Sequence, residues 1–211
     1  MNYDVLIIGA GPGGIYSAYE LTQRCPEKKV AVIEAGHALA HRHCPIDGEK
    51  VKTCIGCKTC SIMSGFGGAG AFSDGKYNIT NDFGGTLFEY IGKRQALELM
   101  RYVDEINMRY GGAGTKLYTT AGTQFKKACI QHDLHLLDAS VRHLGTDINY
   151  VVLENLYNYL KDKVDFFFDT PVEKVEIVDG GYEVVTAKET FTCEKCIISV
   201  GRSGSKWMEQ V

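Results

Sequence analysis

Two sets of residues have the types and spacings that chemistry requires. Four thiols, Cys44, Cys54, Cys57 and Cys60, fall in one short stretch, CPIDGEKVKTCIGCKTC. A C-x2-C-x2-C run with an outlying Cys-Pro is a cluster-ligand spacing, here in inverted order, and four thiolates also suit a tetrahedral zinc ion. The run is tight for one zinc, and His41 and His43 are near enough in sequence to serve as alternative ligands. The same thiols could instead form a redox dithiol or be structural. The metal reading expects all four to converge on one centre, with Cys44 closing the site.

The second set is GAGPGG: Gly9, Ala10, Gly11, Pro12, Gly13 and Gly14. Gly9-x-Gly11-x-x-Gly14 sets a tight turn, a close backbone approach to a pyrophosphate, and close helix–strand packing. The helix that follows offers free N–H groups and a partial positive charge to phosphate. Such a site needs an acid about 20 residues on to accept a ribose hydroxyl. Glu34, followed by Ala35, stands 20 residues after Gly14. An acid there favours the free ribose of FAD or NAD over a 2′-phosphate.

These residues need elements to hold them. Residues 4–9, DVLIIG, form a continuous apolar run of a strand buried on both faces. Residues 14–25 have helical spacing, with Ile15, Ala18, Tyr19 and Leu21 sharing a face. KVAVIEAG, residues 29–36, is a second buried strand, which completes a βαβ unit. Residues 36–88 read as one long, glycine- and cysteine-rich loop, of a length that is normally either functional or disordered. Residues 93–111 form an amphipathic helix ended by Gly111 and Gly112. Two short strands, KLYTTA and LHLLDA, flank a short helix. Residues 147–163 form a helix capped by Asp147. The period then becomes two: strands at VDFFFDT, VEKVEIVD, GYEVVTA and ETFTC, with a hairpin turn at Asp179-Gly180-Gly181, and then a further strand, KCIISVG. SKWMEQV begins a helix.

Composition narrows the classes. The chain has 211 residues, 45% hydrophobic and 23% charged, with a net charge of −3. That balance argues against a nucleic-acid or acidic-membrane partner, and no apolar run reaches membrane-spanning length. MNYDVLIIGAG has no basic leader or cleavage site, so a cytoplasmic location is expected. Eight cysteines in a reducing compartment point to metal or redox chemistry before a disulfide framework. Cys193 and Cys196, three apart on a strand, are expected to face opposite ways as core or edge residues. Cys25 and Cys129 read as buried small hydrophobes. His132, His135 and His143 read as surface residues.

YDVLIIGAGPGGIYSAYEL…VAVIEAG resembles the N-terminal dinucleotide-binding segment of FAD-dependent oxidoreductases. The cysteine stretch continuing through GFGGAGAFSDGK, together with RHLGTD, is similar to an uncharacterised family of NAD(P)/FAD-dependent dehydrogenases, over nearly the whole chain. The resemblance implies an α/β, Rossmann-like FAD/NAD(P)-binding domain with a parallel sheet, a β-meander and a long insertion. Its parts would be residues 1–36 with 149–211, and an insertion over 37–148. It implies FAD as cofactor, with NAD(P)H as an electron donor. Gly67, Gly68, Ala69 and Gly70 would approach the cofactor through their backbone, and Ser73 and Asp74 would add polar contacts. Val172 would meet adenine, and Gly201 with Arg202 would follow the late strand TCEKCIISVGR.

Members of that superfamily are longer and carry a substrate domain and a further flavin-contacting segment. The expectation is therefore a shortened chain, with apolar surface near residues 195–200 left to self-associate. The preferred reading is a flavin-dependent oxidoreductase, or its FAD-binding part, acting on a small molecule or electron carrier. A non-catalytic dinucleotide-binding fragment and an NAD-dependent dehydrogenase are the alternatives. A visible spectrum of the purified protein separates them: flavin bands are expected, an iron–sulfur cluster would add a broad shoulder, and a colourless protein would favour the alternatives.

Overall fold

The computed structural model describes residues 1–209. In chain order the elements are β1 (Asn2–Ile8), α1 (Pro12–Arg24), β2 (Val30–Ile33), β3 (Lys76–Ile79), α2 (Leu87–Ile91), α3 (Lys93–Asn107), β4 (Leu117–Thr119), α4 (Phe125–Gln131), β5 (Ser140–His143), α5 (Gly145–Leu160), β6 (Asp165–Phe167), β7 (Val172–Val178), β8 (Gly181–Thr186), β9 (Thr190–Ile198) and α6 (Ser205–Met208). They form two compact units, one of Met1–Phe72 with the chain from Leu153 onward, the other of Ser73–Val152. Gln210 and Val211, the last residues of the expected C-terminal helix, lie outside the described residues.

The first unit is built on a six-stranded sheet in the order β6-β2-β1-β9-β8-β7. β6, β2, β1 and β9 run parallel, and β8 and β7 return antiparallel as the meander. β1 lies between β2 and β9, with Val5 opposite Val30 on one side and Lys195 on the other. This position explains its unbroken apolar run: Leu6 and Ile7 are fully buried, as strands covered on both faces require. α1 buries Gly14, Ile15, Ala18 and Tyr19; of the face read from the helical spacing, Leu21 is half-buried. Tyr3, Leu6, Ile8, Ala31, Ile33, Val184, Phe191 and Cys193 form one core cluster.

An aromatic cluster lies beside β6. Phe66, with no exposed surface, meets Tyr157 at 5.1 Å, Phe166 at 5.8 Å and Phe168 at 6.4 Å between ring centroids, each edge-on. Edge-to-face packing suits the ring quadrupoles. It also ties the residue just before Gly67 into the core.

The second unit holds a three-stranded antiparallel sheet, β3-β5-β4. Arg142 on β5 and Asp104 on α3 form a nearly buried bidentate pair, at 3.0 Å and 2.8 Å. Arg142 also donates to the Thr115 carbonyl at 2.6 Å. Fork geometry and full hydrogen bonding are what a low-exposure ion pair requires.

Several local expectations are corrected. The stretch read as one loop contains β3, whose partner β5 is distant in sequence. LHLLDA is not a strand; pairing starts one residue later, at Ser140. ETFTC and KCIISVG form one strand, β9, because it pairs with β8 and β1 together. Asp147 lies in the first turn of α5 rather than capping it, since the helix starts at Gly145. Residues 37–72 belong with the first unit, whereas the sequence boundaries fall after 36 and before 149. The reason is hydrogen bonding: Phe66 donates to the His37 carbonyl and Gly67 to the Ala10 carbonyl. No helix among the described residues is long and apolar enough to cross a membrane.

Replacing Phe66 with Ala removes the centre of the aromatic cluster. A buried Phe→Ala change costs about 3–5 kcal/mol, so the urea midpoint of the first unit is expected to fall accordingly. An unchanged midpoint would show that the cluster does not hold the loop.

Candidate functional site

β1, β2 and β9 carry the chain to the same end of the sheet. Ile8 and Gly9, Ile33 and Glu34, and Ser199 and Val200 all line a cavity of about 1010 Å³. Ligand pockets commonly span roughly 300–1,000 Å³, so this one suits a large ligand. It opens at the carboxyl ends of parallel strands, where open α/β sheets bind ligands.

The turn after β1 is shaped by two close approaches. Gly9 has φ 103°, a left-handed conformation, and a Cβ there would lie 2.4 Å from the Ser199 carbonyl oxygen. A Cβ on Gly14 would lie 1.9 Å from the Gly9 carbonyl oxygen. Only glycine fits either place. Gly11 stands at the N-cap of α1, Pro12 opens the helix, and no side chain caps it. Gly11, Pro12 and Gly13 line the cavity, so the first-turn amides of a 13-residue helix are left to serve an anion.

Glu34 does more than the sequence indicated. Its Oε2 accepts from the Ala10 N–H at 2.7 Å, and its Oε1 accepts from Gly36 at 2.8 Å and Gly65 at 2.9 Å. One carboxylate thus joins the turn after β1, the turn after β2 and the glycine-rich segment. It is 7% exposed and lines the cavity. A carboxylate has about four acceptor positions, so Oε2 keeps one for a ligand hydroxyl.

Arg42 was not singled out in the sequence. It is 3% exposed, and Nε donates to the Ser61 carbonyl at 2.9 Å. Nη1 donates to Phe66 at 2.7 Å and Gly68 at 2.9 Å, and Nη2 to Ile62 at 2.8 Å. The guanidinium also lies 4.8 Å from the centre of the Phe72 ring. Burial weighs against its charge, while the Glu34 carboxylate and the Cys60 thiol nearby favour it. Its hydrogen-bond partners are all backbone carbonyls, which leave no trace in a residue pattern.

The cavity wall also includes Ala35, Gly68, Ala69, Gly70, Val172, Gly201 and Arg202. Ala10, Gly14 and Gly67 stand behind it, in the hydrogen bonds and packing just described. Ser73 and Asp74 belong to the second unit, where Asp74 pairs with Lys76 at 2.6 Å and the Ser73 hydroxyl accepts from Gly75 at 3.3 Å. Sequence reasoning missed Ser199, Thr170 and Trp207 as lining residues. The indole N–H of Trp207 is buried without a partner among the described residues, a donor left over for a ligand.

The four thiols do not gather. Among the described residues no three His, Cys, Asp or Glu side chains are placed to hold a metal. Cys44, Cys54 and Cys57 are exposed and Cys60 half-buried. Their segment has no regular element between residues 42 and 60 to curl it around one centre. Cys57 and Cys60 line the cavity; Cys44 and Cys54 do not. Cys193 and Cys196 also depart from expectation. Glu194 and Lys195 are both exposed, which interrupts the alternation of β9, and both thiols pack on the same core cluster. Burial, then the neighbouring Cys193, push the Cys196 thiol up to about 12, and burial raises Cys193, the direction expected of thiols in apolar surroundings. Cys25 and Cys129 are half-exposed rather than buried. His132, His135 and His143 are exposed, as read.

A parallel sheet carrying a glycine turn, an uncapped helix and an acid at its carboxyl edge defines a dinucleotide-binding α/β fold. The chain belongs to the pyridine nucleotide-disulphide oxidoreductase family, whose sequence profile matches residues 3–203. A 42-residue stretch is 50% identical to an uncharacterized protein of Acanthamoeba polyphaga mimivirus, covering 20% of this chain and 8% of that protein. In structure the chain is similar to glycine oxidase from Geobacillus kaustophilus (TM-score 0.52, 15% identity, 98% of this chain and 58% of that one). It is equally similar to L-alpha-glycerophosphate oxidase from Mycoplasma pneumoniae, solved with FAD bound (TM-score 0.52, 17% identity, 99% and 56%). The chain thus spans little more than half the length of these oxidases, and the likeness establishes the fold. The expected kinship with FAD-dependent oxidoreductases and the expected α/β class are borne out.

Glu34→Gln tests the bracing role. The amide keeps the shape but turns a donor toward at least one backbone N–H. A buried donor left unpaired costs about 1–3 kcal/mol, and the ligand-free protein is expected to lose that much stability in denaturant titration. Wild-type stability would show that Glu34 serves a ligand alone.

Proposed function

We propose that this chain binds FAD in the cavity at the ends of β1, β2 and β9 and forms the cofactor-binding part of an FAD-dependent oxidoreductase, with NAD(P)H as electron donor. The observation that carries the reading is the uncapped N-terminus of α1, which opens beside Glu34 onto a cavity of about 1010 Å³. The residues present fit the cofactor. First-turn amides of α1 would take the diphosphate, and the remaining acceptor position of Glu34 would take one ribose hydroxyl. Thr170, Pro171 and Val172 would border the adenine. Gly68, Ala69 and Gly70 leave room for backbone approach, and the spare Trp207 N–H offers a further donor. Bound flavin would supply hydride and electron chemistry; the protein's part is to bind, orient and shield it.

Cys57 and Cys60 on the wall of this cavity favour a thiol pair facing the cofactor over a four-thiol metal site. Both ideas meet in one experiment. Titration with FAD is expected to saturate at one equivalent and to slow alkylation of Cys57 and Cys60, leaving Cys44 and Cys54 at their free rates. Binding without differential protection would move the cofactor out of this cavity. No binding of FAD or NAD would remove the reading.

A further inference from the structure

We propose that Arg42 is the positioning residue that turns the glycine-rich segment toward a bound diphosphate, acting from behind the cavity wall. The inference rests on the dinucleotide reading above and assigns a role to a residue that does not line the cavity. The four hydrogen bonds of the Arg42 side chain all end on carbonyls of one loop: Ser61, Ile62, Phe66 and Gly68. The described residues contain no cis peptide. In a planar trans peptide the C=O and N–H point in opposite directions. Each carbonyl drawn onto the guanidinium therefore turns the next residue's N–H away from it.

Two of these peptides matter. With the Phe66 carbonyl held, the Gly67 N–H is directed to the Ala10 carbonyl, at 2.8 Å, which fastens the loop to the turn after β1. With the Gly68 carbonyl held, the Ala69 N–H is turned outward, and Gly68, Ala69 and Gly70 line the cavity. Glu34 supplies the opposite grip by accepting the Gly65 N–H at 2.9 Å. A buried cation pulling carbonyls and a buried anion pulling an N–H thus set the peptide dipoles of one short loop. The Gly68 N–H is itself taken by the Gly65 carbonyl at 2.8 Å, so the Ala69 N–H is the donor this arrangement leaves on the cavity side, suited to a diphosphate and of no use to an uncharged nucleoside. The Arg42 charge adds to this through low-dielectric protein. Lysine cannot replace it, because a point charge with three donors lacks the planar fork.

The test compares ADP with adenosine, which share base and ribose and differ in the diphosphate. By calorimetry, the wild-type chain is expected to bind ADP more tightly than adenosine. Arg42→Lys is expected to lose about 10- to 100-fold in ADP affinity, the worth of one charge-assisted hydrogen bond, while adenosine affinity stays within about twofold. A folded Arg42→Lys protein with the wild-type ADP-to-adenosine ratio overturns the inference and leaves the dinucleotide reading intact. A wild-type chain that binds neither ADP nor FAD overturns both. Should the lysine variant fail to fold, Arg42→Ala is refolded with methylguanidinium or with methylammonium. Return of ADP binding with methylguanidinium alone supports the role; equal rescue by either cation, or by neither, overturns it.

Discussion

The carboxylate of Glu34 is the contact on which the site depends. Three backbone N–H groups from three separate segments end on it. Peptide N–H groups in buried turns must find acceptors, and neighbouring turns cannot readily supply them. A single anion at the end of a central parallel strand solves this for all three. Its own charge is made tolerable by those donors and by Arg42 nearby. The architecture follows from that point: β2 must end at residue 33, and the glycine segment must return to within hydrogen-bond reach of it.

What lies outside this junction is ordinary packing with a clear division of labour. The core cluster of β1, β2, β8 and β9 fixes where the strand ends fall, and the aromatic group around Phe66 fixes where the loop comes back. Polar groups set the details between them. The same economy recurs in the second unit, where Arg142 satisfies Asp104 and the Thr115 carbonyl at once.

The parts legible in the sequence are those with local signals. Buried parallel strands announce themselves as apolar runs, the helix by its spacing, and the turn after β1 by the spacing of its glycines, although the close approach that fixes Gly9 comes from the distant Ser199 carbonyl. Glu34 was legible by its distance from Gly14, though only half of its role was. Arg42 was not, because its partners are carbonyls that every residue owns. β5 was misplaced because LHLLDA looks as apolar as a strand, whereas pairing with β3 and β4 selects the polar SVRH instead. The thiols misled for a related reason. Ligand spacing is necessary for a metal site, but a chain without regular structure need not bring the ligands together.

The outer strands of the large sheet have a consequence of another kind. A sheet edge offers unpaired peptide groups to any passing strand. Here one edge, β6, is three residues long, too short to recruit a partner. The other, β7, reads VEKVEIV and exposes Ile177 to 86%. Its charges at Glu173, Lys174 and Glu176, and the register shift between Val172 and Lys174, spoil it as a template. The sheet is thereby guarded against edge-to-edge growth into aggregates, so its outermost strand can remain bare in water.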